Sequence, residues 1–268
     1  MVRMSMNEIS TFSWTFEEDV EHYVAAGYEG IGVWRQKLTD FGEERGIDLL
    51  VECGLSVSNL MWAGGFTGSD GRRYDDAVED GFEAIELAAA MRADCLVIYS
   101  GSRGGHIYNH ARRMMRNALN ELLPFAETQG VTLAVEPVHA ECGGDWTFLH
   151  AIDETLEFIS SFRSRHLKMV FDTYHLGQPP VSLETVQQIA PLVGVVHLAD
   201  SQRPPAGEQN RCLLGEGAVP IREIVSALQD GGYKGFYDVE LIGEDIEECT
   251  YEQILEHSMH ALSELISA

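Results

Sequence analysis

Four apolar runs in this chain end on a side chain that can hold a cation or move a proton. Met169-Val-Phe171 runs into Asp172, and Val131-Thr-Leu-Ala-Val135 into Glu136. Val193-Gly-Val-Val196 runs into His197, and Phe236-Tyr-Asp-Val239 into Glu240. A buried strand that stops on such a residue and then turns delivers it to a pocket. Three carboxylates brought together repel one another unless a cation neutralises them. Carboxylates with one imidazole and no thiolate suit a divalent ion, Mn2+, Mg2+, Co2+ or Zn2+, rather than a structural zinc site. Taken singly, each residue reads equally well as a helix cap or an ion-pair partner. Four of them at the same end of four strands point to a shared metal site of Glu136, Asp172, His197 and Glu240.

Further candidates follow these strand ends. His175 lies just past Asp172, and Arg203 six residues after His197. Both can reach a ligand held at the cation, the arginine gripping an anionic or oxygen-rich group. His175 reads alternatively as a support behind the metal ligands. Asp200 either anchors the following loop or orients Arg203. His139, Glu141 and Cys142, close behind Glu136, carry a weaker signal. Trp14, Trp34 and Trp62 fall just after the first three predicted strands, as rim packing or as an apolar wall against a sugar-like ligand.

The elements that must position these residues alternate strand and helix. Predicted strands cover Glu8–Phe12, Tyr28–Trp34, Leu55–Met61, Asp94–Tyr99, Val131–Pro137, Leu167–Phe171, Val193–Leu198 and Gly235–Leu241. Helical patterns lie between them, including one over Arg35–Cys53 and one over Tyr74–Met91. The first helix opens on Thr15-Phe-Glu-Glu18, the spacing of a capping box. The strands are short and continuously apolar, as parallel strands covered on both faces are. Eight β-then-α units in 268 residues predict a single-domain (β/α)8 barrel over residues 1–268. A doubly wound open sheet is the alternative, but the first β–α turn, Phe12-Ser-Trp-Thr, has no glycine-rich phosphate loop. In the barrel the strand ends converge on one face, where active sites sit.

Composition narrows the partners. With 43 acidic and 18 basic residues the net charge is −25, a field that repels phosphate backbones and opposes a nucleic-acid partner. No apolar run approaches the roughly 18 residues of a membrane span. The five cysteines are scattered without a C-x-x-C pair, and no signal-peptide core opens the chain, which points to reduced thiols and the cytoplasm. The acidic surface is compatible with a monomer or a homo-oligomer.

Several stretches taken in order carry a resemblance. They are Trp14-Thr-Phe-Glu-Glu-Asp19, Gly30-Ile-Gly-Val-Trp-Arg35, Val135-Glu-Pro-Val138, Phe171-Asp-Thr-Tyr-His175, His197-Leu-Ala-Asp200 with Arg203, Gly215-Glu-Gly217 and Asp238-Val-Glu240. Together they resemble the xylose isomerase-like sugar phosphate isomerase/epimerase superfamily over nearly the whole chain. The resemblance implies a TIM barrel and one divalent metal held by Glu136, Asp172, His197 and Glu240. It implies that Glu136 and Glu240 move the proton of a small polyhydroxy carbonyl substrate, with His175 and Arg203 on its oxygens. The chain departs from the family in the extended stretch Glu208–Leu214 before Gly215-Glu-Gly217. It departs again at Cys142, where ketose 3-epimerases carry a further glutamate. The expected activity is isomerase or epimerase on a keto-sugar, sugar acid or inosose, with a dehydratase as alternative. An abasic-site endonuclease and a non-catalytic barrel fit less well.

Overall fold

A computed structural model describes the backbone of residues 2–267 and the side chains through residue 264. The strands are β1 (Arg3–Asn7), β2 (Gly30–Trp34), β3 (Ser56–Gly64), β4 (Leu96–Tyr99), β5 (Leu133–Val135), β6 (Leu167–Asp172), β7 (Val193–Leu198) and β8 (Phe236–Val239). Each pairs in parallel with the next, and β1 pairs with β8 to close the barrel. This closure excludes the open doubly wound sheet. The helices are α1 (Phe16–Ala26), α2 (Arg35–Phe41), α3 (Glu43–Cys53), α4 (Tyr74–Met91), α5 (Tyr108–Gln129), α6 (Ile152–Ser160), α7 (Thr173–Leu176), α8 (Leu183–Ile189), α9 (Ile221–Asp230), α10 (Glu244–Glu247) and α11 (Tyr251–Ser267). Among the described residues, no helix is long and apolar enough to cross a membrane.

Two expectations are corrected. The first strand is Arg3–Asn7, and Glu8–Thr11 is a 3-10 turn. Asn7 ends the strand by accepting the Ile9 N–H at 3.0 Å, and the buried Glu8 carboxylate accepts the Trp34 N–H at 2.6 Å. The strand escaped the apolar pattern because Ser5 and Asn7, which face the barrel interior, are polar. The helical stretch Arg35–Cys53 is two helices, broken at Gly42, whose φ of 104° lies where only glycine is at ease. The Thr15 capping box is present, with its side chain and Glu18 each holding the other's backbone N–H.

The main core lies between barrel and helices, and a second, smaller cluster fills the barrel itself. That inner cluster is Met61, Cys95, Val97, Ala134, Val170 and Val195, with Ile9 and Trp62 packed against it. Residues two apart on a strand face the same way. Ala134, Val170 and Val195 therefore set the inward phase that Glu136, Asp172 and His197 continue at the strand ends.

Candidate metal centre

Glu136 follows β5, Asp172 ends β6, His197 lies in β7 and Glu240 follows β8. Consecutive strands of a closed barrel place these ends side by side, and one ligand atom from each lies within 4.8 Å of the others. All four are buried, Asp172 and His197 completely. His197 Nδ1 is 3.0 Å from Glu136 Oε1 and 2.8 Å from Glu240 Oε2. A single ring nitrogen faces two carboxylates, yet it has at most one proton to share. Glu240 Oε2 is left without a hydrogen-bond partner among the described residues. A cation among these atoms satisfies every one of them, which is the arrangement of a divalent-ion site.

Sequence reasoning missed the fifth member, Arg211. Its guanidinium is buried and reaches Asp172 Oδ2 and Glu240 Oε1, each at 3.0 Å. It also donates to the Glu240 carbonyl and to Gln209 Oε1, both at 2.8 Å. Arg203 is not brought to the cluster. It is exposed and lines a surface cleft with Tyr174, Glu208 and Asp245. The loop register explains the exchange. Asp200 accepts backbone N–H groups of Ser201, Gly215, Gly217 and Val219 at 2.8–3.1 Å, tying the far end of the loop back to β7. Arg211 lies just inside that tie, its N–H on the Ile242 carbonyl at 2.9 Å. Its sequence neighbours, the apolar run Cys212-Leu-Leu214 and Gly215-Glu-Gly217 four residues on, do not by themselves place it in the site.

The charges in this site act strongly on one another. Burial opposes ionisation of Glu240, but Arg211 and His197 overcome it and hold its pKa down to about 2. At Glu136 burial wins: its pKa is raised, with His197 pulling down and Glu240 and Asp172 pushing up. Burial alone would discharge His197, yet Glu240 and Glu136 hold its proton well above the usual range. A proton on Nδ1 therefore competes with a cation for the same position. With His197 neutral, the three carboxylates exceed the one guanidinium by two charges, which a divalent ion would balance.

His175 is buried beside this group. Its backbone N–H caps onto Asp172 Oδ1 at 3.1 Å, and its Nδ1 has no partner among the described residues. Burial, against the pull of Asp172 and with Arg211 nearby, lowers its pKa to about 4, so it is neutral at pH 7. The tryptophans divide. Trp62 sits on the inner cluster at the barrel mouth, edge-on to Trp146 at 5.3 Å, and Trp146 stacks on Tyr99 at 4.4 Å. Trp34 is half-buried at the end of β2. Trp14 stacks on His22 at 4.2 Å and meets Tyr251 edge-on at 4.9 Å, a packing role between α1 and α11. Cys142 is half-buried in the loop after β5, on a cavity of about 670 Å³ shared with Glu141, Gly207 and Gln209.

The family model of the xylose isomerase-like TIM barrel matches residues 20–265. This chain belongs to that family. Among its relatives, a D-psicose 3-epimerase of Enterocloster bolteae is 32% identical over 124 residues, a match that takes in 46% of this chain and 37% of that enzyme. An inosose isomerase of Bacillus velezensis is 22% identical over 281 residues, 99% of this chain and 98% of the relative. In three dimensions the chain is similar to the IOLI protein with a bound zinc atom, at 19% identity and a TM-score of 0.84, over 99% of this chain and 98% of the other. That likeness establishes the shared fold.

Proposed function

We propose that this chain is a divalent-metal-dependent isomerase or epimerase of a small polyhydroxy carbonyl compound: a keto-sugar, a sugar acid or an inosose. The observation that carries the reading is the meeting of Glu136, Asp172, His197 and Glu240 within 4.8 Å at the mouth of the barrel. Relatives named as an epimerase and an inosose isomerase support it, as does a similar barrel that holds zinc.

A divalent ion held by these four residues would act as a Lewis acid on the substrate carbonyl and acidify the neighbouring C–H. The chain's own residues then divide the proton work. Glu136 and Glu240 meet at the same point: one takes the α-proton, leaving an ene-diolate of the substrate, and the other returns one. Return to the same carbon from the opposite face epimerises it, and return to the neighbouring carbon isomerises the substrate. Neutral His175, whose Nδ1 has no partner among the described residues, grips a substrate oxygen, and Arg211 steadies Asp172 and Glu240 behind it. Trp62, with Trp146 behind it, forms an apolar wall at the mouth, where Trp34 also contributes.

The test incubates Mn2+-loaded protein with ketoses and inososes in D2O. Deuterium entering the carbon next to the carbonyl, with the hydroxyl groups retained, supports the proposal. Loss of water to a deoxy-dicarbonyl product instead would make the chain a dehydratase.

A further inference from the structure

β8 points two carboxylates into the barrel, and the metal site uses only Glu240. Asp238 lies two residues earlier on the same face, one layer deeper. In the corresponding layer beneath the other ligands stand Ala134, Val170 and Val195, all apolar. Asp238 is the exception in that layer, and it is fully buried.

Its surroundings are built for it. Asp238 Oδ1 accepts from Ser5 Oγ at 2.5 Å and Ser58 Oγ at 3.1 Å. Oδ2 accepts from Asn7 Nδ2 at 2.7 Å and Asn59 Nδ2 at 2.8 Å. Asn7 cannot be turned round, because its Oδ1 already accepts the Ile9 N–H at 3.0 Å. Gly32 of β2 leaves the necessary space, since a Cβ there would collide with Asp238 Oδ2 and Asn7 Nδ2. Four donors fill the acceptor sites of an ionised carboxylate. Burial raises the pKa of Asp238, while His197 and the donors on β1 and β3 favour its charged form.

Beside that charge stands His197, the register partner of Asp238 across β7 and β8. Its Nδ1 faces Glu136 and Glu240. Its Nε2 is buried without a hydrogen-bond partner, 4.0 Å from Asp238 Oδ2. We propose that Asp238 is a positioning residue: it holds His197 with the proton on Nε2 and turns the Nδ1 lone pair toward the cation. A carboxylate at the far nitrogen of a metal-bound imidazole fixes the tautomer and strengthens the ligand. Here it acts through 4.0 Å of dry interior rather than by a direct hydrogen bond. This inference rests on the metal reading of the site.

The test compares wild type with Asp238→Asn, which keeps size and removes the charge. Zn2+ is titrated into chelator-treated protein, with far-UV circular dichroism and Tm as controls on folding. The expected result is zinc binding weaker by roughly 10- to 100-fold in the variant. In long-range 1H–15N spectra of the zinc-loaded proteins, the His197 Nε2–H signal should move upfield once the carboxylate is gone. Zinc binding within twofold of wild type and an unmoved Nε2–H signal would overturn the inference while leaving the metal site intact. If Asp238→Asn does not fold, Asp238→Ser takes its place in both measurements, and the same two outcomes decide. A wild type that takes up no zinc overturns the metal reading, and this inference with it.

Discussion

Arg203 and Arg211 carry the same charge in the same loop, and burial separates their roles. Arg211 is flanked by Asp172 and Glu240, so Arg211→Ala strips Asp172 of its ion-pair partner and leaves Glu240 with His197. The metal-free variant should lose about 3–5 kcal/mol of stability, read from urea unfolding, and should regain part of it with saturating Mn2+. Its KM should rise sharply. Arg203→Ala, on an exposed side chain, should leave stability and kcat/KM near wild type; a loss comparable to that of Arg211→Ala would place Arg203 on the substrate. At the proton-transfer positions, Glu240→Gln and Glu136→Gln should each lower kcat by about 10²–10⁴-fold. Turnover that survives both substitutions would remove them from the catalytic machinery.

Strands and loops decide which of these residues meet. Glu136, Asp172, His197 and Glu240 were legible in sequence because buried parallel strands are apolar runs, and a charged residue at their tip stands out. Arg211 was not, because a loop has no periodicity and its position depends on the grip of Asp200 on Gly215, Gly217 and Val219. Asp200→Ala should release that loop, so KM should rise more than kcat falls and Tm should drop; unchanged kinetics would show that Arg211 is held by other means. Asp238 and β1 were hidden for one shared reason. Asp238 sits inside a strand that otherwise reads as apolar, while its partners Ser5 and Asn7 make β1 read as polar. Neither signal has meaning until closure brings β8 beside β1.

For the whole molecule, the eight repeating units were readable from their order alone, whereas the interior polar cradle arises only when the sheet closes. Buried titratable groups tie the stability of the barrel to pH. His175 has a folded-state pKa of about 4 against an ordinary value of 6.5, because burial disfavours its charge. Below pH 6.5 the unfolded chain takes up a proton that the folded chain refuses, so stability falls toward pH 4 and this loss levels off below it. The contribution is on the order of 3 kcal/mol. His175→Gln should flatten that part of the acid limb in urea unfolding at a series of pH values; an identical limb would mean that His175 titrates normally.

The claim on which the rest depends is that the mouth of this barrel holds one divalent ion. Mn2+ titrated into chelator-treated protein, with free Mn2+ followed by electron paramagnetic resonance, tests it directly. The predicted result is one tightly bound equivalent in wild type, lost in His197→Gln and in Asp172→Asn. No bound Mn2+ in wild type, or equal binding in the variants, would contradict it.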